Sequence, residues 1–183
     1  MTALIVIIVI VVLILLYFIS TYNMLVGLRN KVKDQWSQID VVLKQRNDLI
    51  PNVVETVKGY AKHEKETLDA VISARSKAVS ATTSEEEMKA AGEVTQALGR
   101  LFALSESYPE LKANENFMKL QDNLNEMEEK IRYSRQFYND SVLSYKNKLE
   151  MFPSNIVAGI FNFKPEAFFE ATEDEKKTPE VKF

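Results

Sequence analysis

His63 and Glu64 are the two residues whose types most nearly form a catalytic motif. On a helix, a His-Glu pair begins the zinc-binding sequence of many metalloproteases, which needs a second histidine four residues after the first. Position 67 is Thr, and the whole chain contains one His and no Cys. Zinc sites take about three or four such ligands. We therefore predict no metal site and no cofactor, and we interpret His63 as a helix-surface or packing residue.

Nucleophilic and phosphate chemistry have no better support. No serine lies in a Gly-x-Ser-x-Gly turn, and the glycines are isolated instead of being gathered into a phosphate-binding loop. We predict no catalytic residue, no enzymatic activity and no small-molecule substrate. One alternative stays open, namely a ligand-binding sensor whose polar groups face inward between helices, for which Ser134 is a candidate.

The segment around Pro51 holds the most informative polar residues. Arg46, Asp48, Pro51 and Asn52 lie at a predicted junction between two helices. One interpretation is a capped turn, in which Asp48 accepts hydrogen bonds from the exposed amides of the second helix and Arg46 pairs with an acidic neighbour. The other interpretation is a partner-binding surface formed by the four residues at the membrane-distal tip. Trp36, by contrast, fits a buried stripe and is predicted to pack in the core.

Long helices must position these residues, because Gly and Pro are scarce between residues 22 and 151 while good helix formers are common. The first helix carries a stripe at three-four spacing, and a second helix is predicted to start at Pro51. The phase of the stripe nearly continues across Pro51, so a single kinked helix remains an alternative. The first stripe comprises Leu25, Leu28, Val32, Trp36, Ile39 and Leu43.

Two further helices follow. The third is predicted to open at a capping box of Ser84 and Glu87 and to end at Tyr108-Pro109. The fourth spans about 112–151 with heptad-like apolar spacing and ends before Pro153. Four amphipathic helices with short connections predict an all-α fold, an antiparallel up-down four-helix bundle.

An apolar run precedes the bundle. From Ala3 to Ile19 there is no charge, Gly or Pro, and at the helical rise the run covers roughly 26 Å, close to the hydrocarbon thickness of a bilayer. A cleaved signal peptide would have a basic start and small residues at a cleavage site, and neither is found. We therefore predict a retained transmembrane anchor over residues 1–21 that continues into the first bundle helix.

Flanking charges predict the orientation. Arg29, Lys31, Lys33, Lys44 and Arg46 all follow the apolar run, so the positive-inside rule places the N-terminus outside and the body in the cytoplasm. The net charge is −3 with both signs interspersed, which predicts no nucleic-acid partner.

Residues 152–183 form the third part of the predicted division, after the anchor (1–21) and a cytoplasmic bundle (22–151). This C-terminal tail is predicted to be irregular and is rich in aromatic residues, and its charged end from Glu170 to Phe183 is predicted to be mobile. The aromatic side chains either close the end of the bundle or lie at the bilayer interface. The candidate membrane-interface residues are Phe161, Phe163, Phe168 and Phe169.

Several segments also match a known family. The clearest are WSQIDV at 36–41, RNDLIPNVV at 46–54, VKGYAKHE at 57–64, ESYPELKA at 106–113 and FPSNIV at 152–157. With them the sequence resembles the LemA family of bacterial proteins over essentially the whole chain. It departs from the family pattern at Gln45, where Arg is typical, and at Lys146, where Asn is typical.

The resemblance implies a membrane-anchored helical bundle with a short outside N-terminus, a cytoplasmic body and no established enzymatic activity. Magnetosome-membrane relatives and an association with membrane-bound metalloproteases point to scaffold or adaptor roles within the family. We therefore predict a non-enzymatic interaction or scaffold protein of the bacterial cytoplasmic membrane, in contact with the lipid bilayer, with unidentified protein partners and with copies of itself as a homo-oligomer. Two alternatives remain: a lipid-surface or membrane-remodelling protein that uses the aromatic tail, and an adaptor or regulator of a membrane-bound metalloprotease.

Overall fold

The structure is a computed structural model that describes residues 1–170, and it is helical almost throughout. None of the described residues lies in a strand. The all-α prediction is therefore confirmed, whereas the antiparallel four-helix arrangement stays a prediction. The helices are α1 (Thr2–Tyr60), α2 (Lys65–Ser80), α3 (Ser84–Ser105), α4 (Pro109–Lys112), α5 (Glu115–Glu150) and α6 (Ser154–Ile160).

Helix α1 passes through Pro51, so a second helix does not start there and the alternative of a single helix across Pro51 is the one found. The chain leaves the helix only at residues 61–64, where a turn leads into α2. Two side-chain hydrogen bonds fasten this turn to the segment between α3 and α5. Tyr108 Oη donates to Glu64 Oε1 at 2.8 Å, and Asn114 Nδ2 donates to Tyr60 Oη at 2.9 Å.

The starts of α3 and α5 are set by local hydrogen bonds. The capping box of α3 is formed by Thr83 and Glu86, one residue before the predicted pair, because the run 82–87 offers the same spacing in more than one register. Thr82 and Thr83 donate to the Glu86 carboxylate and lower its pKa. The predicted helix from 112 onward is interrupted, since Asn114 Oδ1 accepts a hydrogen bond from Phe117 N at 2.9 Å and so caps α5.

The C-terminal tail is not irregular throughout, because α6 lies within it. Asn162 ends this helix in the left-handed region with φ of 53°. The amide of Asn162 donates to Gly159 O and the amide of Phe163 donates to Ala158 O, the two bonds of a Schellman motif. The predicted mobile end, beyond Glu170, lies outside the described residues.

By its internal contacts the chain divides into two units. Unit 1 contains Met1–Ser37 and Gln136–Phe168, with a core in which Leu25, Val142 and Tyr145 are fully buried. The Trp36 ring packs edge-on against Tyr138 with centroids 5.5 Å apart, as predicted, but the side chain is half-buried and not part of the fully buried core. The side chains from Leu4 to Leu16 remain about half exposed.

Unit 2 contains Gln38–Arg135 and, at the end of the described residues, Phe169 and Glu170. Its core combines the later part of α1 with α2, α3 and the first half of α5, as the predicted stripes require. The fully buried residues include Ile50, Val53, Val57, Leu101, Leu111 and Leu124. Every polar group discussed next as a candidate site belongs to this unit.

Candidate functional site: a buried arginine between two cavities

Arg46 is the most unusual residue of unit 2, because its side chain is completely buried. It lies three residues after Leu43 and four before Ile50, so it occupies a position in the apolar stripe of α1. That spacing was the signal in the sequence that could have revealed its burial. A buried guanidinium must be paired and hydrogen-bonded to be tolerated.

Partners from two other helices meet this requirement. Arg46 Nη1 donates to Glu128 Oε1 of α5 at 2.8 Å and to Thr95 Oγ1 of α3 at 2.9 Å, while Nη2 donates to Ala91 O at 3.2 Å. The Thr95 hydroxyl also lies 3.1 Å from Glu128 Oε2 and from Ala91 O, so its single proton serves one of them at a time. Arg46 thereby links three helices, and its acidic partner is distant in sequence instead of a neighbour.

One cavity, of about 260 Å³, lies on the Glu128 side of Arg46. Its walls carry charges of both signs together with the buried Phe169 ring, which Arg135 approaches to 5.3 Å from the ring centroid. The charged lining residues are Arg46, Glu128, Glu129, Arg132 and Arg135.

A second cavity, of about 250 Å³, lies among α1, α2 and α3. Three buried polar atoms on its lining residues have no hydrogen-bond partner within the described residues: Arg46 Nε, Asn47 Oδ1 and Glu87 Oε2. Native proteins leave few such atoms unsatisfied, and each one calls for an explanation. Exposed Asp40, Lys44 and Asp48 also line this cavity, so it is accessible from solvent, and we call it the Arg46 cleft.

Glu87 is the perturbed acid of the Arg46 cleft. Burial of its carboxyl, followed by the charge of Asp40, raises the pKa of Glu87 above its ordinary value. Both effects disfavour the ionised form. A cationic group placed in the cleft would oppose both effects and would pair with the free oxygen.

Arg75 explains how Pro51 is accommodated inside α1. A proline has no N–H, so in a helix the carbonyl four residues earlier loses its donor. That carbonyl belongs to Asn47, and Arg75 Nε of α2 donates to it at 2.8 Å. The guanidinium therefore replaces the missing backbone donor.

The four residues predicted to form a partner-binding surface do not all lie on the surface. Asp48, Pro51 and Asn52 are exposed on α1, whereas Arg46 is buried. Asp48 caps no helix, because no helix begins there. Asn52 accepts a hydrogen bond from Thr56 Oγ1 through its carbonyl at 2.8 Å. Sequence reasoning did not find Glu87, Asn47 or Arg75 as parts of this site.

The four phenylalanines predicted to lie at the membrane interface also differ in how exposed they are. Phe161 is 52% exposed, with its ring 4.7 Å from that of Tyr22. Phe163 is half-buried 5.6 Å from the same ring, and Phe168 is half-buried 5.8 Å from Lys146 Nζ. Phe169 is buried with 4% of its surface exposed.

The other residues that could do chemistry are not assembled. His63 is exposed in the turn at residues 61–64, not on a helix. Ser134 is half-buried on α5 and lines neither cavity beside Arg46. Among residues 1–170, no three His, Cys, Asp or Glu side chains come together in a way that could hold a metal ion.

These features define an all-helical protein with one helix, among those described, long and apolar enough to cross a membrane. Residues 35–183 match the model of the LemA family, and the chain belongs to that family.

Relatives of known name agree. Protein LemA of Metamycoplasma hominis is 26% identical over 162 residues, which cover 87% of this chain and 73% of the relative. Magnetosome protein MamQ 2 of Paramagnetospirillum magneticum is 26% identical over 175 residues, and MamQ of Magnetospirillum gryphiswaldense is 25% identical over 174. Each alignment to MamQ covers 81% of this chain and 64% of the relative, so the chain spans less than two thirds of the MamQ proteins. The apolar helix and these relatives indicate a membrane-associated protein.

Proposed function

We propose that this chain is a non-enzymatic, membrane-tethered interaction protein that holds protein partners, including further copies of itself, at the Arg46 cleft. The observation that carries the proposal is the pair of buried acceptor atoms without a partner, Asn47 Oδ1 and Glu87 Oε2, on residues that line one accessible cavity. A buried polar atom without a partner costs about 1–3 kcal/mol. A partner group that pairs with these atoms recovers part of that free energy on binding.

A basic side chain is the group that fits. Its ammonium or guanidinium protons would pair with Glu87 Oε2 and Asn47 Oδ1, and its aliphatic stem would lie against Leu43 and Val79 of the cleft. The charges agree with this choice. Three carboxylates line the cleft. Of its three cationic residues, Arg46 is paired with Glu128, Arg75 donates to the Asn47 carbonyl and Lys44 is exposed, while the buried Glu87 Oε2 has no partner among the described residues.

The tether adds to such an interaction. Confining a protein and its partners to one membrane raises their effective concentration, so that modest contacts suffice for assembly. We place the chain in the bacterial cytoplasmic membrane with its helical body in the cytoplasm, on the strength of the basic residues that follow the apolar run.

Photo-crosslinking in intact membranes tests the proposal. A benzophenone amino acid replaces Val79, which lines the cleft, or Ile72, an exposed apolar residue on the same helix that does not. We expect adducts with a partner protein or a second copy from position 79 and few from position 72. Recovery of uncross-linked monomer alone from position 79, or the same adducts from both positions, would contradict the proposal.

A charge-neutral variant adds the chemical control. Glu87→Gln removes the carboxylate of the cleft, whereas Glu85→Gln makes the same change in the same helical turn on an exposed residue outside it. The position-79 adducts should weaken at least fivefold with Glu87→Gln and persist with Glu85→Gln. Equal adducts in both variants would show that the carboxylate of the cleft takes no part.

A further inference from the structure

Helix α6 presents three different faces. At about 100° per residue, Ser154, Val157 and Ala158 fall on one side, and all three are buried. Ile156 and Ile160 fall together on a second side and are exposed. The third side carries Asn155 and Gly159, both also exposed. Phe152 and Phe161, just before and just after the helix, are exposed as well. Exposure of the Ile156 and Ile160 side chains to water would be unfavourable. The residues that surround this face therefore indicate what covers it.

The neighbour is the apolar run of α1. Pro153 and Ile156 form one wall of a cleft of about 390 Å³ whose other residues all belong to that run or its end: Ile10, Leu13, Ile14, Tyr17 and Phe18. Ile14 and Ile10 lie five and nine residues before Ile19, the last apolar residue. At the helical rise they are about 7 and 14 Å deeper along the helix axis. The start of α6, at Pro153 and Ile156, therefore faces the apolar run of α1, whereas its end, at Phe161, packs beside Tyr22 after the run.

A polar cavity adjoins this apolar cleft. It measures about 330 Å³ and shares Tyr17 and Pro153 with the cleft. Its lining includes Ser20, Thr21 and Lys148, where the apolar run gives way to polar residues. Along this surface the apolar cleft comes first, then Tyr17, and then Lys148 with the hydroxyls of Ser20 and Thr21. A phospholipid presents its acyl chain, its interfacial region and its phosphate in the same order.

We infer that α6 is an interfacial helix embedded in the bilayer, and that its cleft with α1 takes an acyl chain of a phospholipid whose phosphate lies beside Lys148. The inference rests on residues 3–19 lying in a membrane and is independent of the function proposed for the Arg46 cleft. Amphipathic interfacial helices bury their apolar face about 5–10 Å into the acyl boundary, which suits the position of Ile156 beside Ile14. The membrane-contacting residues are then Phe152, Ile156, Ile160 and Phe161, whereas Phe163, Phe168 and Phe169 pack against protein.

Spin labelling of the full chain in phosphatidylcholine–phosphatidylglycerol vesicles tests the depth of α6. The chain contains no Cys, so single variants can be labelled without other changes. Labels at Ile156→Cys and Ile160→Cys are compared with Asn155→Cys on the same helix and with Ile14→Cys as a reference within the span. Collision rates with oxygen and with a water-soluble nickel chelate report the depth of each label.

We expect labels at 156 and 160 to resemble the label at 14, with collisions favouring oxygen and at least fivefold protection from nickel compared with position 155. A label at 156 that meets nickel as readily as the label at 155 would overturn the inference.

Lipid retention tests the phosphate subsite separately. Full-length protein is purified in mild detergent, and its bound phosphatidylglycerol is counted by native mass spectrometry. Lys148→Gln should lower retention at least threefold, whereas Lys164→Gln, which removes an exposed lysine of the same unit, should not. Equal retention in the two variants would remove Lys148 from the proposed site.

Discussion

Replacing Arg75 by Met should destabilise the protein, because Arg75 supplies a hydrogen bond that Pro51, 24 positions earlier, cannot donate. Pro51 deprives the Asn47 carbonyl of its helical donor, and Arg75 Nε supplies a hydrogen bond of 2.8 Å in its place. Methionine keeps most of the length and packing of the side chain and removes the donor. The carbonyl is then left in a part-buried position without a hydrogen bond.

The expected loss follows from the type of bond. A hydrogen bond from a charged donor contributes about 1.5–3 kcal/mol. For a chain of this size, each kcal/mol shifts the midpoint of thermal unfolding by about 2–4 °C. Arg75→Met should therefore lower the midpoint by roughly 3–12 °C. The measurement is urea and thermal unfolding of the full chain in detergent, with circular dichroism at the helical band as the signal.

A second background isolates the cause. In Pro51→Ala, residue 51 regains an N–H that can donate to Asn47 O, so Arg75→Met should there cost less than about 1 kcal/mol. The matched control is Lys77→Met on the same helix, whose ion pair with Glu93 is exposed and should be worth at most about 1 kcal/mol. If Arg75→Met costs the same in both backgrounds, the guanidinium does not replace the missing donor.

Four other predictions follow from the same physical reasoning. Glu128→Ala, which leaves the fully buried Arg46 charge without its carboxylate, should cost about 2–4 kcal/mol in urea unfolding. Arg46→Met should cost at least 1 kcal/mol less, because the Glu128 side chain is 30% exposed and can turn to water; the reverse order would contradict this. Thr83→Ala should cost about 1 kcal/mol, measured the same way, through loss of the α3 cap, and no loss would show that this cap is dispensable. Asn162→Val should cost about 1–2 kcal/mol because a β-branched residue disfavours positive φ, while Asn162→Gly should be neutral. Since the folded pKa of Glu87 is raised, its protonated form favours folding at acidic pH, and that contribution is lost as pH rises through the raised value. Glu87→Gln should therefore stabilise the protein more at pH 8 than at pH 4, and an equal gain at both would refute the shift.

The sequence predicted the elements that depend on local pattern. The apolar run, the helical stripes and the presence of a capping box before α3 were all readable, because each depends on residues within a few turns of one another. The register of the capping box was missed by one residue, since the run 82–87 permits more than one choice. The predicted four-helix arrangement and three-part division stay predictions.

Pro51 shows where local rules fail. A proline after a stripe of apolar residues favours a helix start, and the prediction followed that preference. The outcome depended on Arg75, which lies on another helix and restores the lost hydrogen bond. No rule based on neighbouring residues could include that donor.

By itself the sequence determined that the chain is helical, that it carries an apolar run long enough to span a bilayer and that Arg46 stands in an apolar stripe. The tertiary structure decided that Arg46 is paired with Glu128, 82 positions away, and that Asn47 and Glu87 leave unpaired atoms at one cavity. It also decided that Pro153 and Ile156, at the start of α6, share a cleft with residues of the apolar run. Helix formation is governed by bonds between residues four apart, whereas burial and pairing depend on which surfaces meet, and those meetings join residues far apart in sequence.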